Sequence, residues 1–218
     1  MITSYDTLPL GTYLDILAVN GDESRDDIDK QVATIALLNG CDERTILNTP
    51  LPEYSEMAAA LDFLAHPASK VGRPAARYTL GPWALIPTAD LKKVTTAQYI
   101  DFQTYAAEGD RRLVEILSVM LVPEGRTYAD GYDPEEVQDA IREYLSVRDA
   151  LSLVAFFFER FLESTRATLN SLEREVRRTK RIRDVTKRAE MQARIQATRA
   201  DLQARLRAVG DGYTKLTS

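Results

Sequence analysis

The stretch from Val147 to Val209 contains neither glycine nor proline. These are the residues that most often interrupt a helix, so their absence predicts one long helix, or a helix with a bend near residues 184–186. The first half carries a mostly apolar stripe at alternating steps of three and four, which is typical of a helix-packing seam: Leu151, Val154, Phe158, Leu162, Thr165, Leu169, Leu172 and Val176. Beyond Arg177, Lys and Arg interrupt the stripe, which indicates a charged extension.

Shorter apolar stripes upstream predict a series of amphipathic helices. Asp133-Pro134-Glu135-Glu136 is the clearest helix start, because an N-cap carboxylate precedes proline and two acids in the first turn. Ser146 and Asp149 resemble a capping pair that begins the long stretch. We expect helices at about 9–19, 24–39, 53–65, 95–107, 111–121 and 134–144, and a short helix capped by Asp42.

Residues 66–93 differ from the rest of the chain because proline and glycine recur there and prevent a long helix. Strands are expected only here, near 77–80 and 83–86, as a small ribbon. The predicted fold class is mainly α: a compact multi-helix body with a small β-ribbon connector and a long, coiled-coil-like C-terminal helix. The predicted divisions are an N-terminal helical unit (1–65), the connector (66–93), a second helical unit (94–176) and a basic helical extension (177–218).

The apolar stripes also indicate which side chains face inward. The second helix carries Ile28 on the same face as Val32 and Ile35, and the short helix carries Leu47 beside Ile46. Ile28, Val32 and Ile35 are therefore assigned to the apolar face of the second helix.

The net charge of −5 conceals an uneven distribution along the chain. Residues 1–163 carry 14 Lys and Arg against 27 Asp and Glu, whereas residues 164–218 carry 14 against 6. We therefore expect the two parts of the chain to face different partners, or each other.

Eight basic residues within fifteen positions form a predicted basic patch: Arg174, Arg177, Arg178, Lys180, Arg181, Arg183, Lys187 and Arg188. This density of positive charge can neutralise several phosphates. No aromatic residue lies between Phe161 and Tyr213 to stack on bases, so a nucleic-acid contact would involve the phosphate backbone. Two other interpretations stay open: a solvated coiled-coil arm that pairs with the acidic body or an acidic partner, and contact with a membrane surface.

The chain offers few residues for catalysis. His66 is the only histidine and Cys41 the only cysteine, so histidine-dependent triads and histidine-rich metal sites are excluded or severely restricted, and no intramolecular disulfide can form. The acidic segments 20–27 and 130–133 lack the alternating ligands of a calcium loop. We therefore expect a protein that is not an enzyme and that uses neither a metal nor a cofactor.

Several segments within residues 8–155 together form a sequence pattern that resembles other proteins. They begin at Tyr13-Leu-Asp-Ile, Asp29-Lys-Gln-Val, Asn48-Thr-Pro-Leu, Gln98-Tyr-Ile-Asp and Asp130-Gly-Tyr-Asp. This pattern resembles small proteins encoded among the assembly and virion genes of tailed phages of Bacteroidetes, including the crAss-like phages. Such proteins are similar to tail-assembly chaperones, which hold the helical tape-measure protein until the tail tube polymerises around it. The basic helix lies outside the resembling segments.

The functional hypothesis is a non-enzymatic phage assembly or virion-associated protein that acts by protein–protein contact in the bacterial host cytoplasm. Expected partners are other phage structural or assembly proteins and further copies of the chain, without integral membrane association. The alternative is a structural virion or core component whose basic C-terminal helix contacts nucleic acid or an acidic partner. The aromatic residues predicted to line a partner-binding groove are Tyr13, Tyr99, Phe102, Phe157 and Phe161.

Overall fold

A computed structural model of the chain describes residues 1–66, 73–88, 90, 93–108, 112–128, 130, 132–179, 189–198 and 200. The protein is mainly helical with a small three-stranded sheet, which confirms the predicted class at this level. Residues 189–198 are also helical, whereas the predicted continuity from α8 to these residues lies outside the described part of the chain. The elements are α1 (Leu10–Gly21), α2 (Asp27–Asn39), α3 (Glu43–Leu47), α4 (Leu51–Ala59), a 3-10 helix (Ala60–Ala65), β1 (Tyr78–Leu80), β2 (Trp83–Pro87), α5 (Thr96–Glu108), α6 (Leu113–Met120), β3 (Leu121–Pro123), α7 (Pro134–Tyr144) and α8 (Val147–Thr179).

Side-chain caps begin three helices where the sequence predicts them. Asp42 accepts a hydrogen bond at 2.7 Å from the backbone N–H three residues later, and Asp133 accepts one at 2.9 Å from that of Glu135. Ser146 Oγ accepts the N–H of Asp149 at 3.1 Å, which confirms the predicted capping pair at the start of α8. Local side-chain chemistry therefore determines these boundaries.

Two elements differ from the prediction. The fourth helix begins at Leu51 rather than at Glu53, because Pro52 is tolerated in a first turn, where its missing N–H needs no partner. From Ala60 the helix tightens into a 3-10 helix.

Strand β3 follows α6 directly, so the expectation that strands occur only within 66–93 was wrong. The sheet order is β1-β2-β3, and Glu124 N–H donates to Ala84 O at 2.8 Å. Pairing partners that are distant in sequence impose this strand.

The described residues form two compact units that do not follow the predicted consecutive segments. Unit 1 comprises those within Met1–Ile86, Pro123–Arg126 and Asp130–Leu153. Unit 2 comprises those within Pro87–Val122, Thr127–Ala129 and Val154–Ser218. Helix α7, which the sequence pattern assigns to the second helical unit, therefore belongs with the N-terminal helices.

Unit 1 is closed by backbone pairing between its first residues and the segment that joins α7 to α8. Leu10 N–H donates to Leu145 O at 2.8 Å, and Val147 N–H donates to Leu8 O at 2.9 Å. The two segments run antiparallel through an isolated bridge between Pro9 and Ser146. The paired segments supply half of the buried cluster at this position, which consists of Leu8, Ile16, Leu38 and Val147.

Unit 2 contains the packed helices α5 and α6. Gln98 is 2% exposed, and its side-chain amide donates to Val119 O at 2.7 Å, so the buried polar group is paired. The ring of Phe102 lies 5.9 Å from that of Phe158 and 5.6 Å from that of Phe161, between centroids. An aromatic cluster therefore forms the centre of this unit.

The first half of α8 is buried on several sides rather than along a single stripe. Val154 and Phe158, which belong to the predicted seam, are buried, but Leu153 and Phe157 are buried as well. A helix that is apolar around most of its circumference is a core helix. This part of α8 therefore has broader burial than a coiled-coil seam requires.

Gly11 allows α1 to approach α7 closely. A Cβ atom at this position would lie 2.9 Å from Arg142 O, whereas one at Gly21, in the same helix, would meet nothing within 4 Å. We expect Gly11→Ala to lower the free energy of unfolding by about 2 kcal/mol, because overpacking a close contact strains the backbone. Gly21→Ala is the matched control and should be neutral or stabilising. Urea denaturation of both variants tests this, and equal destabilisation would contradict it.

Candidate interaction surface

The five aromatic residues of the predicted groove are mostly core residues. Phe102, Phe157 and Phe161 are only 3%, 1% and 2% exposed. Tyr13 is half-buried against the central cluster of unit 1, and Tyr99 stacks on Phe161 in unit 2 with 5.9 Å between ring centroids. These side chains pack within the two folded units, and their role in binding a partner stays a prediction.

Part of the predicted basic patch lies in α8. Arg174 is exposed, and its Nε donates to Asn170 O at 3.3 Å within the helix. Arg177 and Arg178 lie in the last turn of α8. The remaining patch residues lie outside the described part of the chain: Lys180, Arg181, Arg183, Lys187 and Arg188.

Three large apolar side chains are exposed on α2, α3 and α4. Ile28 is 67% exposed, Leu47 is 68% exposed and Leu51 is 75% exposed. The exposure of Ile28 corrects its assignment to the apolar face of the second helix. The stripes identify apolar residues correctly, but the length of helix that a neighbour covers cannot be derived from periodicity alone.

The cluster that joins these three helices is small. It buries Val32, Ile35 and Ala36 of α2 against Ile46 of α3, with Tyr54 of α4 packed at its edge. Helix α3 is only one turn long, so Ile46 faces inward while the adjacent Leu47 points elsewhere. The cluster therefore leaves the beginning of α2 and the turn between α3 and α4 uncovered.

Two side-chain contacts join helices α2 and α4. Near the beginning of both, Tyr54 Oη donates to Gln31 Oε1 at 2.6 Å. Further along both, Asn39 Nδ2 lies 3.7 Å from Met57 Sδ. The order of these two contacts along the chain is the same in the two helices.

From this order we infer that the exposed apolar residues of α2 and α4 lie toward the beginnings of the two helices. Ile28 precedes Gln31 by three residues, and Leu51 precedes Tyr54 by three, so each lies about one helical turn before the shared hydrogen bond. Leu47 ends α3, four residues before Leu51. We call Ile28, Leu47 and Leu51 the α2–α4 apolar end.

Acidic residues accompany the α2–α4 apolar end. Asp27 and Asp29 flank Ile28 in sequence and are exposed, and Asp26 caps α2 by accepting the N–H of Asp29 at 2.8 Å. Before α2, the hydroxyl and N–H of Ser24 donate to the carboxylate of Asp22 and lower its pKa. Capping accounts for Asp22 and Asp26, and the whole segment stays negatively charged at neutral pH. Negative charge therefore lies beside Ile28, whereas the exposed Arg44 lies three residues before Leu47 on α3.

Neither a metal site nor a membrane span is found within the described ranges. No three His, Cys, Asp or Glu side chains there are grouped so that they could hold a metal ion. None of the described helices has both the length and the apolar character needed to cross a bilayer.

Comparison with known proteins assigns no family to the chain. No protein-family model, curated protein or solved structure is significantly similar to it. Function is therefore inferred from the chain's own residues and surfaces.

We expect the α2–α4 apolar end to contribute little to folding. Leu47→Ser and Leu51→Ser should each change the free energy of unfolding by no more than about 0.5 kcal/mol, because exposed substitutions outside caps and cores are nearly neutral. Ile46→Ala, which truncates the buried neighbour of Leu47, should cost about 2–3 kcal/mol. Urea denaturation provides the comparison. A destabilisation at Leu47 or Leu51 as large as that at Ile46 would show that these side chains are structural.

Proposed function

We propose that this chain is a non-enzymatic bacteriophage assembly or virion-associated protein that acts by protein–protein contact, in the manner of a tail-assembly chaperone. The observation that carries the proposal is the α2–α4 apolar end, whose three large apolar side chains are 67–75% exposed on helices that share one buried cluster. Exposed apolar area of this kind is typical of interaction sites.

The chemistry of the surface suits a helical partner. An amphipathic helix can place its apolar face on Ile28, Leu47 and Leu51 and its basic residues near Asp27 and Asp29. Long helical phage proteins supply such segments, and we expect this class of partner from the sequence pattern within residues 8–155. Binding by surface contact requires no catalytic group.

Affinity purification of the tagged full chain from infected host cells, followed by mass spectrometry, tests this function. We expect a phage structural or assembly protein to be recovered with the wild type. The double variant Leu47→Ser/Leu51→Ser should recover about tenfold less of it, because exposed anchor residues dominate binding energy.

Ile100→Ser is the matched control, because Ile100 is 53% exposed on α5 in unit 2. It should leave recovery unchanged. Failure to recover any phage protein, or equal recovery with the double variant, would contradict the proposed function of this surface.

The second candidate function is a virion or core component that contacts nucleic acid through the basic patch. The exposed Arg174 and the two arginines in the last turn of α8 favour it. A filter-binding titration against duplex DNA should show affinity that falls steeply as salt rises. Replacing Arg174, Arg177 and Arg178 by Gln should reduce the logarithmic salt slope by about 0.9 for each phosphate that is no longer neutralised. Binding without a salt slope, or no binding, would exclude this function.

A further inference from the structure

We propose that the α2–α4 apolar end binds the basic segment, residues 174–188, of a second copy of this chain, so that copies associate head to tail. The inference rests on the proposed protein–protein function and deepens it, because it names a partner for the same surface.

The acceptor surface sets two requirements for its occupant. Ile28, Leu47 and Leu51 require apolar side chains opposite them, since 67–75% of each is exposed in the single chain. The exposed carboxylates of Asp27 and Asp29 require positive charge around that apolar contact. An occupant with only one of these properties would leave the other part of the surface unmatched.

The basic segment has both properties. It carries eight Lys and Arg residues against two acids, Glu175 and Asp184. Among these charges lie three β-branched apolar residues: Val176, Ile182 and Val185. These apolar residues can oppose the α2–α4 apolar end, and the positive charges around them can face the carboxylates beside Ile28.

The distribution of charge between the units favours contact between copies. By sequence, unit 1 carries 20 Asp and Glu against 9 Lys and Arg, whereas unit 2 carries 13 against 19. Two copies therefore attract each other when unit 1 of one faces unit 2 of the other, and like units repel. Such an interface joins two different surfaces, so each added copy leaves one acceptor and one donor available for the next.

Sedimentation velocity of the full chain tests the association. We expect species larger than a dimer to appear as protein concentration rises. The association should weaken at least about tenfold between roughly 0.05 M and 0.5 M NaCl, because salt screens the charges around the contact. A wild-type chain that stays monomeric at all concentrations and at both salt levels would overturn the proposal.

Two variants that each disable one surface make the test specific. The acceptor variant is Leu47→Ser/Leu51→Ser, and the donor variant is Arg174→Glu/Arg177→Glu/Arg178→Glu. Each alone should remain monomeric. Mixed together they should form a one-to-one dimer and nothing larger, because only one intact acceptor and one intact donor are then available for pairing. Absence of this dimer, or wild-type association by either variant alone, would overturn head-to-tail pairing.

Ile100→Ser should associate like the wild type, and unchanged circular dichroism should show that all variants are folded.

The failure of the self-association and the failure of the proposed phage function give different results. A monomeric chain that still recovers a phage protein through Leu47 and Leu51 overturns only the self-association. A chain that assembles as described but recovers no phage protein overturns only the phage function.

Discussion

The antiparallel pairing of residues 8–10 with residues 145–147 is the constraint on which unit 1 depends. Its two hydrogen bonds, at 2.8 and 2.9 Å, join segments that are far apart in sequence, and they place Leu8 and Val147 in one buried cluster. Helix α7 is thereby held against α1 closely enough that Gly11 has no room for a side chain. Helix α1 packs on α2, and α2 carries α3 and α4. The hydrogen bonds that close unit 1 therefore involve other residues than Ile28, Leu47 and Leu51, which are exposed on α2, α3 and α4.

The residues that hold helices α2, α3 and α4 together are different from the large apolar residues exposed on them. Val32, Ile35 and Ile46 hold the α2–α4 layer together from within, while Ile28 and Leu47 remain available at its end. Substitution of the exposed residues can therefore change association without a comparable change in folding. For the proposed contact, the carboxylates beside Ile28 would favour a basic partner over an acidic one.

Local chemistry made much of the fold predictable from the sequence. Asp42, Asp133 and Ser146 cap helices at the expected positions, because an N-cap depends on residues only two or three places apart. Strand β3 and the return of α7 to unit 1 were not predictable in this way, because both depend on distant partners. The candidate interaction surface was not predicted for a related reason. Periodicity places Ile28 on the apolar face of α2, but its exposure depends on which part of that face the neighbouring helices cover.

The pairing of residues 8–10 with residues 145–147 also has a consequence for synthesis. Between the translation of Leu10 and that of Val147 the ribosome adds 137 residues. This takes roughly 7–27 s at the usual rate of elongation. During that interval α1–α4 are already made, but the segment that completes their central cluster is not. The nascent chain therefore keeps Leu8 and Ile16 without their full packing until Val147 has been added late in translation.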